Sequence, residues 1–232
     1  FIAIGVFGFV HVFSYQDFED YPIDQILNSG IIKSNDDGTH GSNDRWGQDM
    51  EKTWDDVPGN TDIVLNVQIP ARIVEYENRK ALLISGNDTN GAYIGLKNVP
   101  NPRDRYVMFK YDFYLKNDNP VVLFANALPN VRKRLFVLYE NGILKLIERT
   151  GKYTEKTIFE READLKEQWL TFSVRIVRKE IRITVGTRLY YVGDISQDMT
   201  EIQDYYVGNW IREREYSNME LYLDNFAVYH GK

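Results

Sequence analysis

Residues 169–178 alternate between apolar and polar side chains, and this alternation constrains the fold more than any other feature of the chain. The apolar parity consists of Leu170, Phe172, Val174 and Ile176, and the polar parity consists of Thr171, Ser173 and Arg175. A period of two residues is typical of an antiparallel strand with one buried face. After a short turn at Lys179-Glu180, Ile181 and Ile183 continue the pattern on a second strand. We expect an antiparallel pair that buries the apolar parity of both strands.

The rest of the chain repeats this organisation in shorter segments. Roughly ten to thirteen apolar or alternating segments are separated by turn residues, with almost no helical periodicity. Asn141-Gly142, between residues 135–140 and 143–148, predicts a two-residue hairpin with a type I′ turn. The 16 Tyr and 12 Phe residues also favour strands. The sequence therefore predicts one all-β domain over residues 15–232, an antiparallel sandwich or barrel.

Residues 219–230 (MELYLDNFAVYH) form the predicted closing strand. Met219, Leu221 and Leu223 share one parity, whereas Phe226 and Val228 have the other. A β-bulge at Asp224-Asn225 would account for this change and would re-aim Asp224. Residues 15–21 (YQDFEDY) have similar chemistry and predict a short strand. We expect these two segments to lie side by side.

Residues 1–14 are almost wholly apolar, which leaves three interpretations open. The segment is too short for a transmembrane helix, which needs about 20 residues, but its length matches the core of a signal peptide. It could be cleaved, pack as a strand in its own domain, or add as a strand to another subunit in a homo-oligomer. We expect a secreted or cell-surface protein whose mature form begins at Tyr15.

Charge and cysteine content exclude several classes of partner. The 28 basic and 34 acidic residues give a net charge of -6, which disfavours nucleic acids and anionic membrane surfaces. An acidic surface suits neutral or cationic ligands instead. The absence of cysteine rules out disulfides and thiolate metal sites.

Three stretches together resemble a known superfamily. They are residues 17–20 (DFED), residues 169–176 (WLTFSVRI) and residues 223–229 (LDNFAVY). This pattern is similar to the concanavalin A-like and laminin G-like jelly rolls, which include carbohydrate-binding modules, and it covers most of residues 15–230. The resemblance implies an antiparallel β-sandwich with a jelly-roll topology.

The same resemblance implies a structural calcium ion. An acidic residue of the first strand and one of the last often hold the ion in such modules, which points to Glu19 and Asp224. Calcium prefers six to eight oxygen ligands, and the secondary candidates are Asp17, Asp20 and Asn225. The alternative is that Glu19 and Asp224 are solvated carboxylates at a sheet edge.

Five aromatic residues are candidates for stacking on a glycan, because sugars bind to aromatic faces flanked by polar groups. Trp46 and Trp54 lie in a long polar loop. Tyr205, Tyr206 and Trp210 cluster with Asp204 and Asn209 in residues 204–210. Packing in the core is the alternative for each of them. The acidic run at residues 162–167 has the carboxylate spacing of laminarinase-type glycosidases, but Ala163 and Lys166 favour a solvated turn.

The sequence therefore predicts a secreted, non-catalytic, carbohydrate-binding jelly roll with a structural calcium and no catalytic residues. Two alternatives remain open. One is a polysaccharide lyase or glycoside hydrolase on the same fold, and the other is a self-assembling surface or filament subunit.

Overall fold

The computed structural model describes residues 10–32, 62–87, 90–97, 106–127, 134–151, 154–196, 204–209 and 218–231. The regular elements in these ranges are strands. They are β1 (Val10–Gln16), β2 (Ile26–Leu27), β3 (Gly30–Ile32), β4 (Asp62–Val67), β5 (Ala71–Tyr76), β6 (Arg79–Gly86), β7 (Ala92–Lys97), β8 (Tyr106–Leu115), β9 (Val121–Ala127), β10 (Arg134–Glu140), β11 (Ile143–Arg149), β12 (Glu155–Glu162), β13 (Leu170–Val177), β14 (Glu180–Val185), β15 (Arg188–Asp194), β16 (Asp204–Gly208) and β17 (Met219–Gly231).

Two antiparallel sheets contain these strands. The first sheet has the order β15-β14-β13-β8-β17-β6-β5-β2, and β1 also pairs with β17. The second sheet has the order β12-β11-β10-β9-β16-β7-β4-β3. The central strands of the first sheet come from the middle and the end of the chain, so its pairings are mostly long-range.

A core rich in aromatic residues joins the two sheets. Phe109 of the first sheet lies 5.8 Å from Phe124 and 6.0 Å from Tyr205 of the second, measured between ring centroids. The buried hydroxyl of Tyr111 donates a hydrogen bond to the carbonyl oxygen of Leu123 on the opposite sheet. Because both sheets contribute to one hydrophobic cluster, the architecture is the predicted β-sandwich.

The strand predictions around residue 175 are confirmed. β13 and β14 pair in register, and their apolar parity is buried at Phe172, Val174, Ile176, Ile181 and Ile183. Leu170, at the start of β13, is only half-buried. The hairpin prediction is also confirmed: Asn141 and Gly142 have φ angles of 51° and 76°, and they connect β10 to β11. Positive φ at both positions is what a type I′ turn requires.

The predicted bulge in the closing strand is present. The register between β17 and β8 shifts between Asp224 and Ala227, and Asn225 has a φ angle of 50°. Leu223 and Phe226 are both fully buried although their parities differ. One extra residue in β17 therefore turns both apolar sets towards the core.

The N-terminal prediction is confirmed in part and corrected in part. β1 pairs with β17 as expected, with Tyr15 opposite Ala227 and Gln16 opposite Phe226. The strand is Val10–Gln16, however, so the prediction of a strand over residues 15–21 is wrong beyond Gln16. The chain turns after Gln16 because Phe18, at a φ angle of 62°, inserts its side chain into the core.

The apolar segment of residues 1–14 is described only from Val10 onwards. There it forms most of β1 and packs beside the last strand of its own chain. Among the described residues, no helix has the length and hydropathy needed to cross a membrane.

Candidate functional site

The face of the first sheet that is turned away from the core, called the outer face below, carries the candidate site. Side chains alternate along β8, so that Tyr111 and Phe113 enter the core and the residues between and beside them lie on the outer face. The register places Asp112 of β8 opposite Thr171 of β13 and opposite Asp224 of β17. The bulge of β17 thus brings two aspartates onto adjacent strands.

Asn225 links the two carboxylates. Its backbone N–H donates to Asp224 Oδ1 at 2.7 Å, and its side-chain amide donates to Asp112 Oδ2 at 2.9 Å and to Asp224 Oδ2 at 3.2 Å. The Tyr15 hydroxyl donates to Asn225 Oδ1 at 2.7 Å. The amide is therefore fixed from β1, and it holds the two carboxylates in place.

Arg79, Thr171 and Trp169 complete this polar group. Arg79 Nη1 lies 3.1 Å from Asp112 Oδ2 and 4.0 Å from Asp224 Oδ2. The Thr171 hydroxyl donates to Asp112 Oδ1 at 2.5 Å. The Arg79 guanidinium also lies 5.0 Å from the ring centroid of Trp169, within the range of a cation–π interaction. One cation thus contacts both carboxylates and an indole ring.

Burial and neighbouring charges alter the protonation of Asp224. Burial is the main cause that raises the pKa of Asp224 to about 7; the negative charges of Asp112 and Asp17 also raise this pKa, whereas the Asn225 N–H and Arg79 lower it. A carboxyl with this pKa exchanges its proton near neutral pH. Burial, followed by the charges of Asp17 and Asp224, also raises the pKa of Tyr15 well above its ordinary value. The Tyr15 hydroxyl therefore stays protonated and acts as a donor.

Four aromatic residues lie beside the carboxylates on the outer face and form what we call the tyrosine cluster: Tyr76, Tyr114, Trp169 and Tyr222. Tyr76 stacks on Tyr222 at a centroid distance of 4.1 Å and meets the edge of Tyr114 at 4.9 Å. Trp169 lies 5.9 Å from Tyr114. Tyr114 and Tyr222 are buried, whereas Tyr76 and Trp169 remain partly exposed. The exposed rings offer a surface on which a ligand could stack.

A shallow pocket of about 370 Å³ opens where β6, β8 and β17 approach each other at one end of the sheet. It is lined by Ser85, Gly86, Lys116, Asn117, Asn218, Met219 and Glu220. Lys116 Nζ and Glu220 Oε2 form an ion pair at 2.8 Å along its wall. The pocket offers hydroxyl, amide and charged groups two residues along β17 from Tyr222.

Two of the five predicted glycan-stacking residues can be placed, and neither belongs to this site. Tyr205 is 2% exposed and packs against Phe109 and Phe124, so the assignment of Tyr205 to ligand binding is corrected to a core role. Tyr206 is half-buried on the second sheet, 5.5 Å from Tyr93, and burial raises its pKa. Trp46, Trp54 and Trp210 lie outside the described residues.

The two predicted calcium ligands face cations of the protein itself. The Glu19 carboxylate lies 3.6 Å from Lys80 Nζ with its side chain 62% exposed, and Asp224 faces Arg79. The acidic neighbours of Asp224 are Asp112 and Asp17. Within the described ranges, no group of three or more potential ligand side chains could hold a metal. A calcium ion bound by Glu19 and Asp224 would therefore have to displace Lys80 and Arg79 from these carboxylates.

Arg79, Asp112 and Tyr76 belong to the site but were not among the residues predicted from the sequence. A signal for Asp112 was available, because residues 106–113 alternate and place Lys110 and Asp112 on the parity opposite to the core. Arg79 and Tyr76 flank a hairpin turn, and nothing in the local sequence shows which strands that hairpin approaches.

Comparison with known proteins identifies the fold. No family model matches the chain, and no curated protein matches it. Alginate lyase AlyC3 is similar with a TM-score of 0.50 and 11% identity, over 68% of this chain and 78% of the lyase. The binding domain of botulinum neurotoxin DC, in complex with rat synaptotagmin II, has a TM-score of 0.52 and 8% identity over 72% of this chain. A botulinum neurotoxin type C structure has a TM-score of 0.51 and 8% identity over 73% of this chain.

The chain spans less than half of the two toxin chains, 43% and 45% of their length. At these identities the likeness concerns the fold alone. It agrees with the antiparallel sandwich described above, so the chain has the predicted jelly-roll β-sandwich fold.

Proposed function

We propose that this protein is a secreted, non-catalytic carbohydrate-binding module that holds a glycan on the outer face of its first sheet. One observation carries the proposal. Partly exposed rings of Tyr76 and Trp169 lie beside polar groups fixed by hydrogen bonds, chiefly Asp112 and Arg79. Ligand sites combine apolar surfaces with a few well-placed polar groups in this way.

The chemistry of this face suits a sugar ring. The C–H face of a sugar would pack on Trp169 or Tyr76, and its hydroxyl groups would exchange hydrogen bonds with the Arg79 guanidinium and the Asp112 carboxylate. The groups at the pocket, including Lys116 and Asn117, would bind a second unit of a chain. Because the polar groups are already held by Asn225 and Thr171, little conformational entropy is lost when the ligand binds.

The similar structures support the proposal through their own ligands. One is an alginate lyase, and cell entry of botulinum neurotoxin type C depends on interaction with two ganglioside molecules. Both are therefore proteins of this fold that interact with molecules containing carbohydrate. A shared fold does not transfer function by itself, so the binding surface of this chain has to be tested directly.

A panel of immobilised polysaccharides tests the proposal, with Tyr76→Ala as the variant. Loss of a stacking ring should weaken binding by about 10-fold, which corresponds to about 1.4 kcal/mol. Phe159→Ala is the matched control, because Phe159 is a half-buried aromatic residue on β12 of the second sheet. Circular dichroism should show that both variants are folded. Equal binding by wild type and Tyr76→Ala would contradict the assignment of the site.

A glycoside hydrolase is the second candidate, because Asp112 and Asp224 form a carboxyl pair on adjacent strands. Glycoside hydrolysis uses one carboxylic acid to protonate the leaving group and one carboxylate on the other side of the bond. The pKa of Asp224, about 7, suits a general acid at neutral pH. If this function is correct, the protein should release reducing ends from a polysaccharide that it binds, and Asp224→Asn should abolish release while binding persists.

Secretion and calcium are separate parts of the proposal, each with its own test. Cleavage after Ser14 would remove most of β1, so N-terminal sequencing of the natural protein from culture medium is informative. Calcium binding at Glu19 and Asp224 would require both carboxylates to leave their cationic neighbours. A melting temperature that falls with EDTA and recovers with calcium would support such a site, and an unchanged curve would contradict it.

A further inference from the structure

Three cations lie together on the outer face of the first sheet, beside the site described above. Lys110 of β8, Arg175 of β13 and Arg182 of β14 occupy adjacent strands, and we call them the basic patch. Arg175 and Arg182 are directly opposite each other in the register. Lys110 is opposite Ser173, so it is a diagonal neighbour of Arg175. The three side chains therefore share one part of the surface.

Among the described residues, no ion-pair partner balances this charge. In the described part of the chain, the ion pairs involve Arg79, Lys80, Lys116, Lys145, Arg149 and Lys166, but none involves a member of the basic patch. This local excess of positive charge contrasts with the net charge of -6 of the whole chain. Like charges directly opposite each other on a sheet are destabilising, so the patch weakens the unliganded fold.

The carboxylates on the same face either contact other groups already or lie at the margin of the basic patch. Asp112, two residues from Lys110 on β8, already contacts Arg79, Asn225 and Thr171. Glu180 and Asp194 are opposite each other at the end of β14 and β15, one side-chain position beyond Arg182. An external anion is therefore the group that would neutralise the centre of the patch.

The surroundings of the patch suit a polyhydroxylated ligand. The Arg175 guanidinium lies 4.2 Å from the ring centroid of Tyr106, which orients its N–H groups. Ser173 and Thr184, paired across β13 and β14, continue the row of Lys110 and lie next to the row of Arg175 and Arg182, so their hydroxyl groups adjoin the cations. Lys110 is separated from the Asp112 row by two residues, about 7 Å. The patch and the proposed glycan site are thus continuous along the outer face.

We propose that the glycan bound by the outer face is an anionic polysaccharide, whose carboxylate groups contact Lys110, Arg175 and Arg182. This inference rests on the proposed carbohydrate-binding function and names the class of glycan. It replaces the expectation of a neutral or cationic ligand, which came from net charge alone. Net charge averages over the whole surface, whereas affinity depends on the charges that face the ligand.

Polygalacturonate and its methyl ester test the proposal, because they share a backbone and differ in charge. Isothermal titration should show at least about 10-fold tighter binding of the acid form, and its affinity should fall as salt is raised from 50 to about 300 mM because of screening. Alginate, with dextran as a neutral comparison, extends the test to a second uronate backbone.

Charge-removing variants locate the contact. Arg175→Gln and Arg182→Gln should each weaken binding of the acid form by about 10-fold, the loss expected for one charge-assisted hydrogen bond. Lys156→Gln is the matched control, since Lys156 is an exposed cation on β12 of the second sheet. Without ligand, Arg182→Gln should raise the melting temperature by about 1–3 °C, because it relieves repulsion from Arg175.

The outcomes separate this inference from the function on which it rests. Equal or tighter binding of the methyl ester, or unchanged affinity in both arginine variants, overturns the anionic assignment and leaves carbohydrate binding intact. Binding to none of the polysaccharides overturns both proposals. Equal binding to a single-stranded oligonucleotide, or to vesicles that contain phosphatidylserine, shows general anion attraction and also overturns the glycan assignment.

Discussion

Replacing Asp224 by asparagine should remove much of the dependence of stability on pH between about 4 and 7. The pKa of Asp224 rises from its ordinary value of 3.8 to about 7 in the folded protein, chiefly through burial. The folded state therefore binds this proton more tightly than the unfolded state does. The resulting stability is fully present below pH 3.8 and is lost progressively as the pH rises through 7. Asparagine does not ionise, so the variant should lack this decline.

The magnitude follows from the size of the pKa shift and from one hydrogen bond. A difference of about 3 pKa units corresponds to about 4 kcal/mol of unfolding free energy. In the variant, an amide nitrogen at the position of Oδ2 cannot accept the hydrogen bond from the Asn225 amide, which costs about 1 kcal/mol. We therefore expect Asp224→Asn to be less stable than wild type by about 1 kcal/mol at pH 4 and more stable by about 3 kcal/mol at pH 8.

Urea unfolding of both proteins at pH 4, 5, 6, 7 and 8 measures this difference. Asp164→Asn controls for the loss of one negative charge, because Asp164 is an exposed carboxylate on the connection after β12. The free energy of unfolding of Asp224→Asn should be below that of wild type at pH 4, and it should rise steadily relative to wild type until it is above it at pH 8. A difference that stays constant from pH 4 to pH 8 would refute the argument that burial holds the proton on Asp224.

Three further predictions test the core and the turns by chemical unfolding. Phe226→Ala should lower the free energy of unfolding by about 3–5 kcal/mol, because Phe226 is fully buried at the bulge, whereas Ile31→Ala should change it little, because Ile31 is 71% exposed. Gly142→Ala should cost about 1 kcal/mol, since its φ angle of 76° is unfavourable for alanine, and a neutral result would contradict the type I′ turn. Tyr111→Phe should cost about 1–3 kcal/mol, because it leaves the buried carbonyl of Leu123 without the hydroxyl that donates to it; no loss would mean that this bond contributes nothing.

Much of the local structure could be predicted from the sequence because it depends on local rules. Alternation with a period of two identified β13 and β14 and their buried faces, since side chains of a strand point to opposite sides. Asn141-Gly142 specified a hairpin turn because both residues tolerate positive φ. The change of parity at Asp224 located the bulge, because only one extra residue lets Leu223 and Phe226 enter the same core.

The candidate site could not be predicted in the same way, because it depends on which strands become neighbours. Asp112 and Asp224 are 112 positions apart in sequence, and they meet only because β8 pairs with β17. Arg79 reaches them from a hairpin on a third strand. Alternation predicts that a side chain faces away from the core, but it does not predict which side chains of neighbouring strands lie beside it.

The same reason accounts for the residues that the sequence misplaced. The cluster around Tyr205 has both polar and aromatic members, and local composition fits a binding loop as well as a core strand. Burial between the two sheets decided that Tyr205 packs against Phe109. Glu19 follows β1, and the sequence located the end of that strand only within a few residues. The turn after Gln16 places the Glu19 carboxylate beside Lys80. The sequence by itself determined the strands, one hairpin turn and the bulge, through local steric and hydrophobic rules; tertiary structure decided which side chains meet, because pairing between distant strands is selected by the burial of the whole core.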